Sequence, residues 1–169
     1  WLVSFDWRSV VTFGWRQRSD LIQRVLAIPD KRHDRRLVDF LTRPEIHALI
    51  SAPDRETRAG RRDYALLLLA IQTGLRLSEL IGLRCEDVSL DFGAHVRCLG
   101  KGRKERCMPL TRHTRAVLRA WMRERRGAPV DVVFPNRHGG RFSPDGIQYL
   151  VAKYARAAQA ACPSLKRKG

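Results

Sequence analysis

The sequence has 169 residues, of which 44% are hydrophobic, enough for the core of one domain or of one domain plus part of another. Lysine and arginine number 33 against 17 aspartates and glutamates, and the net charge of +16 predicts polyanionic partners. The longest apolar run, over residues 64–71, is far shorter than the ~20 residues of a membrane span, and the first residues lack the pattern of a secretory signal. Membrane and exported proteins are therefore excluded from the expected classes.

Basic residues are concentrated in one segment. Residues 61–100 contain five basic and five acidic side chains, whereas residues 101–126 contain ten basic and two acidic ones, a net charge of +8. Because 27 of the 33 basic residues are arginine, a GC-rich genome is an alternative cause of the overall excess. A uniform bias would not concentrate the charge, so residues 101–126 are predicted to contact nucleic acid.

The N-terminal part is poorly patterned. Leu21, Val25 and Ile28 would share one face of a short helix over residues 20–28, and the charged run after Pro29 is typical of a linker. Two interpretations fit this part, a loosely attached arm or the end of a preceding domain. We prefer the second, because the sequence opens in mid-pattern on Trp1.

Helical signals dominate from residue 37 onward. Thr42 and Glu45 form a capping box, Gly74 occupies the left-handed position after a mostly apolar helix, and Ser143-Pro144 is a helix start with proline in the first turn. The predicted helices cover residues 42–51, 61–73, 78–83, 111–126 and 143–161.

Three short extended segments lie between these helices. Residues 88–90 form one predicted strand, and residues 95–99 and 105–110 flank a glycine-containing turn as a hairpin. Cys98 and Cys107 could face each other across it as reduced thiols. The four cysteines show no metal-ligand spacing, so no metal site is expected. The predicted fold is α+β, mostly α-helical with a small antiparallel three-stranded sheet.

A first chemical motif lies where one helix ends and the next begins, in the run Thr-Gly-Leu-Arg-Leu-Ser-Glu-Leu over residues 73–80. Arg76 falls in this tight turn, beside the free N–H groups of the following helix, a natural place for an anion. Glu79 is three residues further on, close enough to bind the guanidinium and hold its plane. An ordinary surface ion pair is the alternative, but the flanking apolar segments favour a purposeful arginine.

A second motif is the predicted hairpin tip, with the sequence Gly-Lys-Gly-Arg-Lys-Glu-Arg over residues 100–106. Its glycines allow a close approach of the backbone to a phosphate, and its cations neutralise one. A soluble turn is the alternative for this motif taken alone. It is not a nucleotide-binding P-loop, because the glycine and Lys-Ser/Thr spacing of that motif is absent.

The two motifs together, about 25 residues apart, resemble the tyrosine recombinase (phage integrase) family. The resemblance runs from about residue 37 to the C-terminus and includes Leu41-Thr42 and Phe134-Pro135. It implies that residues 1–35 are the end of the core-binding domain and its linker. Residues 36–169 would then be the N-terminal part of an integrase-like catalytic domain, which is incomplete.

The resemblance also assigns roles to individual residues. Arg76 would hold a non-bridging oxygen of the scissile phosphate, Glu79 would support Arg76, and Lys101, preferred over Lys104, would donate a proton to the departing 5′ oxygen. Such roles suit a phosphodiester, whose transition state needs fixed cations and whose alkoxide leaving group needs a general acid. The expected DNA contacts are Arg103, Lys104, Arg106 and Arg112.

The sequence departs from the family where the second half of the active site should be. The family places a nucleophilic tyrosine after a His-x-x-Arg box, but His33 and His138, the two histidines followed three places later by arginine, lie elsewhere in the order of elements. Tyr149 and Tyr154 are interpreted as packing residues of a helix. We therefore expect a fragment that is inactive alone.

Two functions remain open at this point. The first is part of a site-specific DNA recombinase or integrase, and the alternative is a non-catalytic DNA-binding module from a truncated integrase. The resemblance implies double-stranded DNA and other recombinase protomers, in a tetrameric synapse, as partners. It also implies no cofactor, no membrane and a cytoplasmic, nucleoid-associated location.

Overall fold

The computed structural model describes residues 40–99 and 105–168, all within one compact unit, Asp39–Gly169. The predicted helix over 20–28, the boundary at residue 35 and the hairpin tip over 100–104 lie outside the described residues. The described part contains five α-helices, a three-stranded sheet and two short 3₁₀ segments. Among these residues no helix is long and apolar enough to cross a membrane.

The first helix, α1 (Arg43–Ser51), begins at the predicted capping box. The Thr42 backbone N–H donates to Glu45 Oε2 at 2.7 Å, and Ser164 donates its hydroxyl to Glu45 Oε1 at 2.6 Å. Glu45 is buried, and each of its two carboxylate oxygens accepts a hydrogen bond. It fastens the start of α1 to the 3₁₀ segment Pro163–Lys168 near the end of the chain, which the sequence did not predict.

The central helix, α2 (Arg58–Thr73), begins three residues earlier than predicted. Thr57 caps it by accepting a hydrogen bond from the Gly60 N–H at 3.0 Å. Gly60 packs so tightly that a Cβ there would lie 1.8 Å from the Asp54 carbonyl oxygen. The helix ends at Gly74, whose φ of 62° confirms the predicted left-handed residue, and α3 (Leu77–Gly82) follows at once.

The antiparallel sheet has the order β1 (Val88–Ser89), β2 (His95–Leu99) and β3 (Glu105–Pro109). Its register pairs Cys98 with Arg106 and Arg97 with Cys107. The prediction that the two cysteines face each other is therefore wrong. The register offsets them by one residue, and since strand side chains alternate between faces, Cys98 is buried whereas Cys107 is exposed.

The remaining helices, α4 (Arg112–Arg125) and α5 (Pro144–Ala158), close the core around α2. Ala65, Leu66 and Leu69 of α2 are almost fully buried, as is Leu118 of α4. The Trp121 indole N–H donates to the Val133 carbonyl at 2.8 Å and joins α4 to the extended segment before α5. The α+β fold, mostly helical with a small three-stranded sheet, is as predicted.

Candidate active site

The turn between α2 and α3 places Arg76 at the edge of the core. Leu75 and Leu77, on either side of it, pack against the core cluster, whereas the Arg76 side chain is 64% exposed. The two packed leucines hold the Arg76 backbone in place, and the exposed guanidinium faces solvent. Its partner Glu79 is the less exposed of the two, with 7% of its side chain accessible.

Glu79 binds Arg76 at two points. The Arg76 backbone N–H donates to Glu79 Oε2 at 2.9 Å, and the Arg76 guanidinium donates from Nη1 to Oε1 at 3.2 Å. The first bond is the capping interaction of an acidic residue in the third position of a helix, here α3. The contact predicted from the Arg-x-x-Glu spacing is present, and helix geometry explains it.

The Glu79 carboxylate also receives a second arginine. Arg106 of β3 donates from Nη2 to Oε1 at 2.7 Å, from 27 residues further along the chain. Burial of the Glu79 side chain, only 7% exposed, raises its pKa, but the hydrogen bond from the Arg76 backbone and the charge of Arg106 outweigh burial, so the pKa lies below its ordinary value. Glu79 is therefore held as a carboxylate.

The other basic residues expected at the site divide into two groups. Lys101, Arg103 and Lys104 lie outside the described residues. Arg112 is exposed at the start of α4, and its side chain makes no hydrogen bond or ion pair within the described part of the chain. Its guanidinium is therefore available to an anion.

Several arginines of the basic segment are bound within the protein, which the sequence analysis did not anticipate. Arg115 and Arg119 both donate to the Leu90 carbonyl, Arg115 from Nε at 2.8 Å, and Arg125 lies 3.6 Å from Asp131 with its side chain only 6% exposed. These residues fasten α4 to the segments around it. The free charge of the helix is thus smaller than its composition indicates.

Residues 39–165 match the model of the Phage integrase family. This chain belongs to the phage integrase family. This match covers the five α-helices and the three strands described above and leaves out residues 1–38.

Relatives support the same family. A putative integrase/recombinase of Sinorhizobium fredii is 53% identical over 152 residues, and a tyrosine recombinase XerC of Xanthomonas campestris is 42% identical over 129 residues. These matches cover 90% and 76% of this chain but 46% and 39% of the relatives. The chain therefore spans about half the length, or less, of these curated relatives.

Solved structures show the same fold. The XerA recombinase is 22% identical with a TM-score of 0.61, covering 70% of this chain and 42% of that one. The XerH site-specific recombinase, in a post-cleavage complex with a palindromic difH substrate, is 24% identical with a TM-score of 0.62, covering 73% and 37%. The described unit thus has the fold of a recombinase catalytic domain.

The chain's three tyrosines all lie within the described residues, and none of them binds Arg76 there. Tyr64 shares a 3.0 Å hydrogen bond with His113, and Tyr154 donates to Asp63 at 2.8 Å. Burial and the Asp63 carboxylate both raise the pKa of Tyr154, which makes it a poor nucleophile. Tyr154 is a packing residue as predicted, but for Tyr149 that interpretation is wrong, since its side chain is 69% exposed.

The exposed Tyr149 ring lies at a cleft away from the Arg76 turn. The cleft encloses about 530 Å³ between the start of α2, the end of α4 and the first turns of α5. Arg62 spans its wall, 2.7 Å from Asp63 and 4.7 Å from the centre of the Phe142 ring. Arg62 therefore joins α2 to the loop before α5 rather than adding a free charge.

The loop that holds His138 and Arg141 does reach the site helix. A Cβ on Gly82, at the end of α3, would lie 3.0 Å from Nη2 of Arg141. His138 is instead engaged by its neighbour Arg137, which donates to Nε2 at 2.8 Å.

Among the described residues, no group of three or more His, Cys, Asp or Glu side chains could hold a metal ion.

Proposed function

We propose that this chain is part of the catalytic domain of a site-specific DNA recombinase, which breaks and rejoins duplex DNA through a 3′-phosphotyrosine intermediate. The observation that supports the proposal most directly is the exposed Arg76 guanidinium, held by Glu79, whose side chain is only 7% exposed. A preorganised cation lowers the energy of the doubly charged phosphate of the transition state without having to reorganise. Membership of the integrase family supports the same reaction.

In this proposal Arg76 binds a non-bridging oxygen of the scissile phosphate. Glu79 fixes the plane of the guanidinium, and Lys101 protonates the departing 5′ oxygen. The nucleophilic tyrosine comes from outside these 169 residues, because Tyr64 and Tyr154 are engaged elsewhere and Tyr149 lies at a separate cleft. Arg103, Lys104 and Arg112 contact the DNA backbone, other recombinase protomers complete a tetrameric synapse, and the protein acts at the cytoplasmic nucleoid.

The experiment uses a chimera in which this chain replaces the matching part of the Sinorhizobium fredii relative. DNA duplexes are first selected for binding to the chimera and then nicked near the cleavage point. The nick releases the short strand that would otherwise be rejoined, so that a covalent protein–DNA adduct accumulates. We expect the chimera to form the adduct and Arg76→Ala to abolish it while DNA binding is largely kept.

Arg84→Ala is the matched control. Arg84 also begins a helical turn, with its N–H donating to Asp87 at 3.1 Å, and its side chain is 54% exposed. Adduct formation by the Arg76→Ala chimera at the rate of the Arg84→Ala chimera would overturn the assignment.

A non-catalytic DNA-binding module is the second candidate. The observation that favours it is the placement of the three tyrosines away from Arg76. Salt-sensitive DNA binding by the chimera without any adduct, on a substrate that the intact relative cleaves, would select this function instead.

A further inference from the structure

The Glu79 carboxylate joins three separate parts of the fold. It begins α3 by capping the Arg76 N–H, it contacts the Arg76 guanidinium, and it binds Arg106 on the edge strand of the sheet. Its oxygen Oε1 accepts from both guanidiniums, and Oε2 accepts from the backbone. The orientation of this one carboxylate therefore depends on the sheet as well as on the helix.

Arg106 makes the shorter of the two guanidinium bonds. Its Nη2 is 2.7 Å from Oε1, whereas Nη1 of Arg76 is 3.2 Å away. Short charge-assisted bonds are the stronger ones. A carboxylate that is only 7% exposed needs such partners to offset its desolvation. Arg106 thus secures Glu79 and leaves Arg76 most of its N–H donors for another ligand.

The strand register explains why Arg106 can do this. Arg106 lies opposite Cys98, one pair from the Leu99 and Glu105 pair that ends the described part of the hairpin. The ladder of β2 and β3 therefore fixes its backbone, whereas an arginine in an open turn would have to be ordered by the contact itself.

We propose that Arg106 is a positioning residue, which holds the Glu79 carboxylate and through it the Arg76 guanidinium in the orientation that receives a phosphate. The inference rests on the proposed function for the identity of that ligand, and it replaces a direct DNA contact as the main role of Arg106. Phosphate recognition at Arg76 then depends on the docking of strand β3 against the turn between α2 and α3.

The test measures Arg76 itself, in this 169-residue chain without DNA. Rotation about the Nε–Cζ bond of Arg76 is followed by NMR in the wild-type chain and in Arg106→Gln, Arg106→Lys and Arg97→Gln. Arg97 is the matched control, since it lies on the same hairpin, is 48% exposed against 47% for Arg106, and faces Asp87 at 3.7 Å instead of Glu79.

We expect Arg106→Gln to speed this rotation by about tenfold, because the loss of a charge-assisted bond to Glu79 frees the carboxylate that orients Arg76. Arg106→Lys should restore part of the restraint, and Arg97→Gln should leave it unchanged. In a Glu79→Gln background, Arg106→Gln should add little. Equal effects of Arg106→Gln and Arg97→Gln, or none from either, would refute the proposal.

A DNA titration separates this inference from the proposed function. Arg106→Gln and Arg97→Gln each remove one positive charge from the hairpin. If Arg106 is a positioning residue, duplex binding by the two variants should have the same salt dependence. A smaller salt slope in Arg106→Gln alone would restore Arg106 as a DNA contact and overturn the positioning role. Absence of DNA binding in the wild-type chain would refute the proposed function and leave the NMR result standing.

Discussion

Tyr154 and Asp63, 91 residues apart in the sequence, form a buried hydrogen bond between α5 and α2. The phenol donates to Oδ2 at 2.8 Å, while Arg62 binds the other carboxylate oxygen at 2.7 Å. Both oxygens of a carboxylate that is 4% exposed are thus satisfied. This network joins α2 to α5 and leaves Tyr154 with a structural task.

The first prediction follows from this bond. Tyr154→Phe should lower the free energy of unfolding by about 1–3 kcal/mol, because it leaves a buried carboxylate oxygen with one partner fewer. Tyr149→Phe is the control, and its change should stay within about 0.5 kcal/mol, as expected for an exposed side chain. Urea unfolding of the two variants measures the difference. Equal losses in both would contradict the assignment.

The second prediction concerns acid stability. The pKa of Glu79 lies below its ordinary value of 4.5 in the folded chain, so its contribution is fully present above pH 4.5 and is lost as the pH falls through the folded value. Glu79→Gln should therefore lower the free energy of unfolding by about 1–3 kcal/mol at neutral pH. This difference from the wild type should become smaller in acid, where the wild-type carboxylate is protonated. Thermal melts from neutral pH into this acidic range measure it.

Glu86→Gln is the matched control for this titration. Glu86 lies in the same region, but its side chain is 44% exposed and 3.8 Å from Arg84. An exposed pair of this kind contributes little. The difference in stability between Glu86→Gln and the wild type should stay small at every pH. A difference as large and as pH-dependent as that of Glu79→Gln would contradict the prediction.

The third prediction separates free from bound arginines on α4. If the basic segment makes about four phosphate contacts, log K should fall with log salt at a slope of about −3.6. Arg112→Gln should reduce the magnitude of that slope by about 0.9, because it removes one contact. Arg115→Gln removes the same charge from a side chain that binds the Leu90 carbonyl, and should leave the slope unchanged. The reverse order of effects would show that Arg115 leaves its partner to bind DNA.

The fourth prediction tests the start of the central helix. Gly60→Ala should destabilise the chain by more than about 3 kcal/mol, since its Cβ would overlap backbone 1.8 Å away that cannot move without breaking the Thr57 cap. Gly140→Ala is the comparison, because the nearest atom to its Cβ would be 3.7 Å away in the Asn136 side chain. Denaturant midpoints compare the two. A Gly60→Ala midpoint close to that of Gly140→Ala would show that the close approach does not constrain the helix.

Interactions between near neighbours were predictable from the sequence. The capping box of Thr42 and Glu45, the left-handed Gly74 and the contact of Arg76 with Glu79 all span four residues or fewer. Helix geometry alone determines which side chains meet at that separation. The predicted start of α2 lies three residues after the observed one, because the charged residues around Thr57 gave no apolar periodicity to mark it as a helix cap.

Tertiary structure alone decided the contacts between distant residues. Arg106 and Arg112 are equivalent in sequence as cations of one basic segment, but the sheet register brings Arg106 to Glu79 and leaves Arg112 exposed. The fold likewise brings Arg115 to the carbonyl of Leu90, the residue that follows β1. Composition records how many charges a segment carries, whereas only the packed chain determines which of them already have a partner, because a buried carboxylate or carbonyl recruits whichever cation the fold places beside it.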